Sequence, residues 1–221
     1  HGASRASQCM RQSVLTVLLL SLDLASAMRI VLQRVKSASV TVEDAVVSSI
    51  GRGVLALVGL REGDTTADLE YCAKKLCAAK LWENEEGKGW RKAARQLDYE
   101  LLLVSQFTLY GDVSNKKHVP DFKRSMKTAE ALEAYGAFKA MVAQAHGDAD
   151  KVKDGVFGAM MDVQLINDGP VTLIIESPGG GSSSGGGGSS GSGGGGGSRV
   201  GAAGADEASL ALAIHNSLHP S

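Results

Sequence analysis

Residues 101–110 constrain the fold of this chain more than any other segment, because they begin as an apolar strand and end in polar side chains. The first four are consecutive aliphatics, a run that is too short to span a membrane and is typical of a central strand. The polar residues Ser105, Gln106 and Thr108 then surround Phe107. A turn is predicted directly after them, at Gly111. This pattern predicts a site at the strand end; the alternative is an ordinary strand that leaves the core.

A second informative segment lies at residues 165–172, where a polar turn separates two runs of strand-forming residues. The turn consists of Asn167, Asp168, Gly169 and Pro170. Glycine leaves its peptide groups unshielded and proline permits a cis peptide bond, so such a turn can present carbonyl oxygens in an unusual direction. The alternative is a simple hairpin turn between two strands.

Together, Ser105-Gln-Phe-Thr-Leu109 and Asn167-Asp-Gly-Pro-Val-Thr172 resemble the two signature motifs of the D-aminoacyl-tRNA deacylases, the D-tyrosyl-tRNA deacylase family. The resemblance runs from Met28 to about Ser177. It implies hydrolysis of the ester bond of D-aminoacyl-tRNA, and of glycine mischarged on a non-cognate tRNA, with release of free amino acid and tRNA. It implies no cofactor and no metal.

The resemblance also implies roles for the first motif, whose catalytic residues are Ser105, Gln106, Phe107 and Thr108. Backbone amides around Gln106, Phe107 and Thr108 are expected to orient the ester and stabilise its oxyanion. Thr108 is one candidate nucleophile. We prefer a mechanism assisted by the 2′-hydroxyl of the tRNA, because no base is placed in sequence to activate Thr108.

For the second motif, the resemblance implies a homodimer in which Gly169–Pro170, with a cis peptide bond, enters the partner subunit's active site. Its carbonyls are expected to exclude L side chains sterically, so that selection comes from rejection. Arg34 resembles the family arginine that steadies this loop. Four further residues complete the expected substrate contacts: Val171, Thr172, Phe157 and Met161. Phe157 and Met161 are equally well interpreted as core residues.

A basic segment at residues 116–127 carries five Lys or Arg residues around Phe122, against the single acid Asp121. Clustered cations near an aromatic ring suit an RNA backbone and an unstacked base. The expected tRNA contacts are Lys116, Lys117, Phe122, Lys123 and Arg124. A solvated loop is the alternative.

Two other functions remain open. One is a sister proofreading enzyme with a trans Gly-Pro bond that acts on a misacylated L-amino acid, against which the Ser105-Gln-Phe-Thr motif argues. The other is a non-enzymatic nucleic-acid-binding protein on the same scaffold.

The formal net charge of −1 means that any nucleic-acid-binding surface must be a local cluster of cations. Neither a Ser-His-Asp set, a Cys-His pair nor a metal-ligand cluster is evident in the sequence.

The predicted fold is α+β, an antiparallel sheet or open barrel with two packed helices. Four strands in an antiparallel meander are expected at 29–35, 38–42, 45–50 and 53–60, and two closing strands at 161–166 and 171–176. One helix is capped by Asp64 or Thr65. The second begins at Thr128 and ends at Gly147, and its predicted buried face comprises Leu132, Tyr135, Phe138 and Val142.

The chain divides into four predicted segments: a leader (1–27), the deacylase-like domain (28–178), a Gly/Ser-rich tail (179–204) and a short terminal helix (205–221). The leader is interpreted as a signal peptide, an organellar transit peptide or non-native upstream sequence. Cytoplasmic location is expected, or organellar if the leader is a transit peptide, and no membrane association. Three cysteines, Cys9, Cys72 and Cys77, are expected to be reduced thiols. The loop at 87–92, which contains Trp90, departs from the family pattern.

Overall fold

The computed structural model of this protein describes residues 28–178. The predicted leader (1–27) with Cys9, the Gly/Ser tail (179–204) and the terminal helix (205–221) lie outside the described residues. Within the described range, no helix is long and apolar enough to cross a membrane. The four segment boundaries stay predictions.

One long strand, β1 (Arg29–Val42), pairs along both of its edges and organises the sheet. On one edge, β2 (Ala45–Ile50) and β3 (Gly53–Gly59) follow each other, both antiparallel to β1. Residues 29–35 and 38–42 are therefore one strand. The predicted meander is wrong, because the chain bends at residues 51–52 without reversing, and β3 pairs with β1 instead of with β2.

The sheet continues through β6 (Glu100–Ser105), which runs parallel to β3, and β7 (Val152–Asp154), which runs parallel to β6. The chain between β3 and β6 includes α1 (Thr66–Ala78) and a small hairpin of β4 (Lys80–Trp82) and β5 (Lys92–Ala93). This crossover connection allows β6 to run parallel to β3. The α+β class with two principal helices is confirmed, and the nearly closed sheet is mixed.

The first helix, α1, begins after Thr65, one of the two residues predicted to cap it. The carboxylate of Asp68 accepts hydrogen bonds from the backbone nitrogen of Thr65 at 2.9 Å and from its hydroxyl at 2.6 Å. Leu69, Cys72 and Cys77 are among the buried residues of this helix. Burial raises the pKa of the Cys72 thiol to about 12 and that of Cys77 to about 11, so both thiols stay protonated at neutral pH.

The second helix, α2 (Thr128–His146), ends at Gly147, which adopts the left-handed conformation at φ +93°. Its buried face consists of Ala131, Tyr135, Phe138, Val142 and His146. The prediction for Leu132 is wrong, since this side chain is 40% exposed. The spacing of the buried residues explains this result, because Leu132 lies about 100° around the helix from Ala131.

The central strands separate two apolar clusters. Along β6, Leu101 and Leu103 face the cluster beneath the helices, whereas Leu102 and Val104 face a second cluster with Val35. A strand that is buried on both faces reads as a continuous apolar run, which is what residues 101–104 show. The polar residues that follow emerge where β6 ends.

Candidate active site

A 3-10 helix, Phe107–Tyr110, follows β6 directly and carries the first motif. The backbone nitrogen of Gln106 donates to the Val58 carbonyl at 2.7 Å, so this amide is engaged with the neighbouring strand and is not available to an oxyanion. The amides of Phe107 and Thr108 lie in the first turn, where backbone N–H groups have no partner within the helix. The structure thus reduces the expected set of three amides to Phe107 and Thr108.

The Phe107–Tyr110 helix lies directly on β3 and β1. A Cβ atom at Gly59 would lie 3.1 Å from the Leu109 Cβ atom, so the helix packs against bare backbone there. Arg29 donates from Nη1 to the Leu109 carbonyl at 3.1 Å, forms an ion pair with Glu176 at 2.7 Å and lies over the Tyr110 ring. Sequence reasoning missed Arg29 and Gly59, since neither has a local signal: their partners are distant in sequence.

The basic segment is attached to the same helix. The rings of Phe107 and Phe122 meet edge to face with centroids 5.0 Å apart, and the Ser125 hydroxyl donates to the Phe107 carbonyl at 3.0 Å. Phe107 is 53% exposed. The structure therefore brings an expected tRNA contact against an expected catalytic residue.

The cations of the basic segment differ in their partners. Lys123 forms an ion pair with Asp121 at 2.6 Å, and Arg124 lies 3.8 Å from Asp112. Lys116 and Lys117 are exposed, and no carboxylate within the described part of the chain pairs with either. These two ammonium groups carry charge that an RNA phosphate can neutralise.

Side chains that could act as a base at Thr108 are scarce in the described residues. The Thr108 hydroxyl accepts a hydrogen bond from the Gln106 side-chain amide, which cannot remove a proton. His146 is buried and contacts the Tyr99 carbonyl at 3.0 Å, at the opposite end of β6 from the motif. His118 is exposed in the basic segment. Between residues 28 and 178, no group of three or more His, Cys, Asp or Glu residues is placed to hold a metal ion.

The second motif forms a bulge within one strand, β8 (Asp162–Glu176). Both halves of β8 pair with the same edge of β1: Val171 lies opposite Arg34, and Asn167 lies opposite Val35. Residues 168–170 are therefore excluded from the pairing, and the hairpin alternative is wrong because the strand direction does not reverse. The Gly169–Pro170 peptide bond is cis.

Arg34 holds this bulge from β1. Its Nε atom donates to the Asp168 carbonyl at 3.0 Å and lies 3.5 Å from the Asp168 carboxylate. Its Nη1 atom donates to the Leu81 carbonyl of β4. One guanidinium thus joins the Gly169–Pro170 bulge to the β4–β5 hairpin. Val171 and Thr172 follow in register with Arg34 and Gln33.

The two residues expected at the terminal adenosine, Phe157 and Met161, pack against different apolar clusters. Phe157 packs against Tyr135 of α2, with ring centroids 5.6 Å apart. Met161 is half-buried beside the second apolar cluster. Both side chains are half-buried, so the contact with the terminal adenosine and the core interpretation both stay predictions.

A half-buried carboxylate, Asp64, lies close enough to Tyr110 to affect its ionisation. One oxygen accepts a hydrogen bond from the Arg61 amide at 2.7 Å, and the other is shielded from solvent. Burial raises the pKa of Asp64 to about 6, and the nearby Asp68 carboxylate adds to the rise. Burial likewise raises the pKa of Tyr110, with a further contribution from Asp64.

We expect Asp64→Asn to stabilise the protein at pH 7.5 and to stabilise it clearly less at pH 4.5. Between the unfolded pKa near 3.8 and the folded pKa of about 6, only the folded state holds the proton. The contribution of Asp64 to stability therefore falls as pH rises through this window, and Asn removes the buried charge. Urea unfolding at both pH values measures the difference, with Glu133→Gln on the exposed face of α2 as control. An effect of equal size at both pH values would contradict the assignment.

Comparison with known proteins places both motifs inside one match. The family model described as D-Tyr-tRNA(Tyr) deacylase matches residues 31–176. A Drosophila melanogaster protein named D-aminoacyl-tRNA deacylase is 52% identical over 151 residues, which cover 68% of this chain and 93% of that protein. A human protein named D-aminoacyl-tRNA deacylase 1 is 42% identical over 151 residues, covering 68% of this chain and 71% of that protein.

Two solved structures are similar to the described domain. One, named c-Myc DNA Unwinding Element Binding Protein, has a TM-score of 0.64 and 41% identity, and the match covers 68% of this chain and 99% of that chain. The other, described as a probable eukaryotic D-amino acid tRNA deacylase, has a TM-score of 0.60 and 19% identity at the same coverage. The second likeness supports the fold alone.

Proposed function

Because this chain belongs to the D-Tyr-tRNA(Tyr) deacylase family, we propose that it hydrolyses the ester bond of D-aminoacyl-tRNA and releases the free amino acid and the tRNA. The observation that carries this proposal is the extent of the family match, which spans residues 31–176 and so includes both motifs. Glycine mischarged on a non-cognate tRNA is a second substrate under this proposal, because it has no side chain to exclude.

In the proposed mechanism, the amides of Phe107 and Thr108 donate to the ester carbonyl oxygen as negative charge develops on it. Water adds to the carbonyl carbon, and the bond to the ribose oxygen then breaks as that oxygen takes a proton. The 2′-hydroxyl of the terminal ribose assists this proton transfer. The engagement of Gln106 by Val58 supports this division of roles, because it fixes the strand end from which the two amides project.

The proposed chiral selection uses the Gly169–Pro170 bulge of a partner subunit. Within one chain, the bulge is level with Arg34 on β1, whereas the Phe107–Tyr110 helix is level with Arg29. Five residues of strand correspond to about 16 Å, so the bulge is well removed from its own site. A homodimer brings the bulge of one subunit to the site of the other.

The outer surface of β8 supports such a dimer. Among the described strands β8 pairs only with β1, which leaves its second edge open, and it exposes three large aliphatic side chains: Ile166, Leu173 and Ile174. An open edge with exposed apolar residues is a surface that proteins usually cover. Sedimentation of the full chain is expected to give the mass of two subunits.

Hydrolysis of matched D- and L-aminoacyl-tRNA by the full chain tests the proposal. Rapid loss of the D ester with the L ester spared is the expected result. Cleavage of the L ester instead would favour the sister proofreading function, and cleavage of neither would contradict the proposal.

A second candidate function is nucleic-acid binding without turnover. The protein of solved structure that is 41% identical to this chain is named for binding a DNA element. The exposed Lys116 and Lys117 suit the same role here. Retained tRNA binding in the absence of ester hydrolysis would favour this function.

We expect Thr108→Ala to keep kcat within about 10-fold of the wild type, because the Thr108 hydroxyl has no base beside it and accepts from Gln106. Loss of a true nucleophile would cost several orders of magnitude. Single-turnover hydrolysis of D-aminoacyl-tRNA measures the change. Thr108→Ser serves as control: near-complete loss in Thr108→Ala with recovery in Thr108→Ser would identify Thr108 as the nucleophile.

A further inference from the structure

The β4–β5 hairpin presents two tryptophans in opposite environments. Trp82 is buried and meets the Tyr99 ring edge to face at 5.2 Å. Trp90, in the loop of the hairpin, is 54% exposed. The hairpin is thus anchored in the core by one indole and offers the other to solvent.

Trp90 also has an unusual backbone conformation, with φ at +60°. Bulky side chains rarely adopt this left-handed region, and residues that do so are held there by their surroundings. The loop supplies such restraint: the Asn84 side chain accepts from the Lys88 amide at 2.9 Å, and the Arg91 amide donates to the Trp82 carbonyl at 2.8 Å. The loop therefore holds a large exposed ring in a backbone conformation that bulky residues rarely adopt.

The β4–β5 hairpin lies next to the Gly169–Pro170 bulge. Arg34 donates to the Leu81 carbonyl of β4 and to the Asp168 carbonyl of the Gly169–Pro170 bulge. The hairpin therefore stands beside the bulge that enters the partner subunit's site under the proposed function.

The charges around Trp90 favour a single unpaired base over a duplex. Lys88 is paired with Glu86 at 2.8 Å and Lys92 with Glu85 at 2.9 Å, so two of the three cations are neutralised. Arg91 forms no ion pair among the described residues, and its guanidinium donates to the Trp90 carbonyl at 3.3 Å. One exposed indole beside one available guanidinium suits one stacked base and its phosphate. Tracking a duplex backbone would need several free cations.

We propose that Trp90 stacks on an unpaired nucleobase of the tRNA, in the single-stranded end that carries the ester, and that Arg91 contacts the adjacent phosphate. This inference rests on the proposed function, because the same tRNA is the substrate. The hairpin then lengthens the recognition surface beyond the Phe107–Tyr110 helix and the basic segment.

Intrinsic fluorescence tests this contact directly, since Trp82 and Trp90 are the two tryptophans of the chain. Titration of the full chain with uncharged tRNA is expected to quench the emission of Trp90. The emission of the buried Trp82 is expected to stay unchanged. In Trp90→Asn the quenching is expected to disappear. Asn tolerates the left-handed conformation, so this variant removes the ring without new backbone strain and its Tm is expected to equal or exceed that of the wild type.

Kinetics give a second measure. Trp90→Asn is expected to raise KM for D-aminoacyl-tRNA about 10-fold with kcat unchanged, and Trp90→Phe to restore most of the affinity, because any aromatic ring can stack on a base. A wild-type emission that saturating tRNA leaves unchanged, or a KM that is equal in wild type and Trp90→Asn, would overturn the inference.

The two proposals fail separately. If the wild type hydrolyses the D ester while Trp90→Asn behaves identically, the Trp90 contact is refuted and the deacylase function stands. If tRNA quenches Trp90 while the D ester is not hydrolysed, the nucleic-acid contact stands and the deacylase function is refuted.

Discussion

Gly169→Ala is expected to lower kcat/KM for D-aminoacyl-tRNA by about 100-fold, as a displacement of about 1 Å in a positioning loop can do. A Cβ atom at Gly169 would lie 3.0 Å from Arg34 Nη2 and 3.2 Å from a methyl group of Val171, at a φ of +119°. The bulge must therefore shift relative to the arginine that holds it. The fold is expected to persist, because residues on both sides of the bulge pair with β1.

Hydrolysis of matched D and L esters, together with thermal unfolding, measures these effects. Gly147→Ala is the control: Gly147 also has a positive φ, +93°, but no atom lies within 4 Å of its added Cβ, and it ends α2 far from the bulge. It is expected to lose stability and to keep activity. If Gly169→Ala retains the wild-type preference for the D ester, the loop has no part in chiral selection.

Gly53→Ala is expected to destabilise the protein by about 3 kcal/mol or more. The added Cβ atom would lie 1.9 Å from the Glu100 carbonyl oxygen, a distance that no side-chain movement can relieve. Gly53 and Glu100 pair at the start of the β3–β6 ladder, so the two strands must separate there. Urea unfolding followed by circular dichroism measures the change.

Gly51→Ala provides the matched control two residues earlier. Its added Cβ would meet only the Glu100 side chain, at 3.7 Å, which is an ordinary contact. We expect a change within about 1 kcal/mol. Equal midpoints for Gly51→Ala and Gly53→Ala would show that the strands yield more readily than the close contact implies.

Local sequence patterns predicted the secondary structure well. Thr65 and Asp68 begin α1, Gly147 ends α2, and residues 161–165 alternate between half-buried and exposed as their apolar spacing indicates. Such features depend on residues within one or two turns of each other, so the sequence contains all the information that they require. Leu132 marks the limit, because which of two adjacent apolar residues faces the core is decided by the elements packed against the helix, chiefly α1.

The candidate site was predicted in part. The first motif and the basic segment were each visible in sequence, but their contact through Phe107 and Phe122 was not. The engagement of the Gln106 amide was equally invisible, since its acceptor, the carbonyl of Val58, belongs to a strand 48 residues earlier. Arg29 has partners in two distant segments and no local signal at all.

The sequence by itself determined the helices, most strands, the two motifs and their resemblance to a deacylase family. Periodicity, capping residues and Gly-Pro chemistry are properties of short segments and act wherever the segment lies. Only the tertiary structure decided that β3 pairs with β1, that Gly169–Pro170 is a bulge held by Arg34, and that two amides of the first motif remain available. Strand pairing and hydrogen-bond partners join residues that are far apart in the chain, so they depend on how the whole core packs.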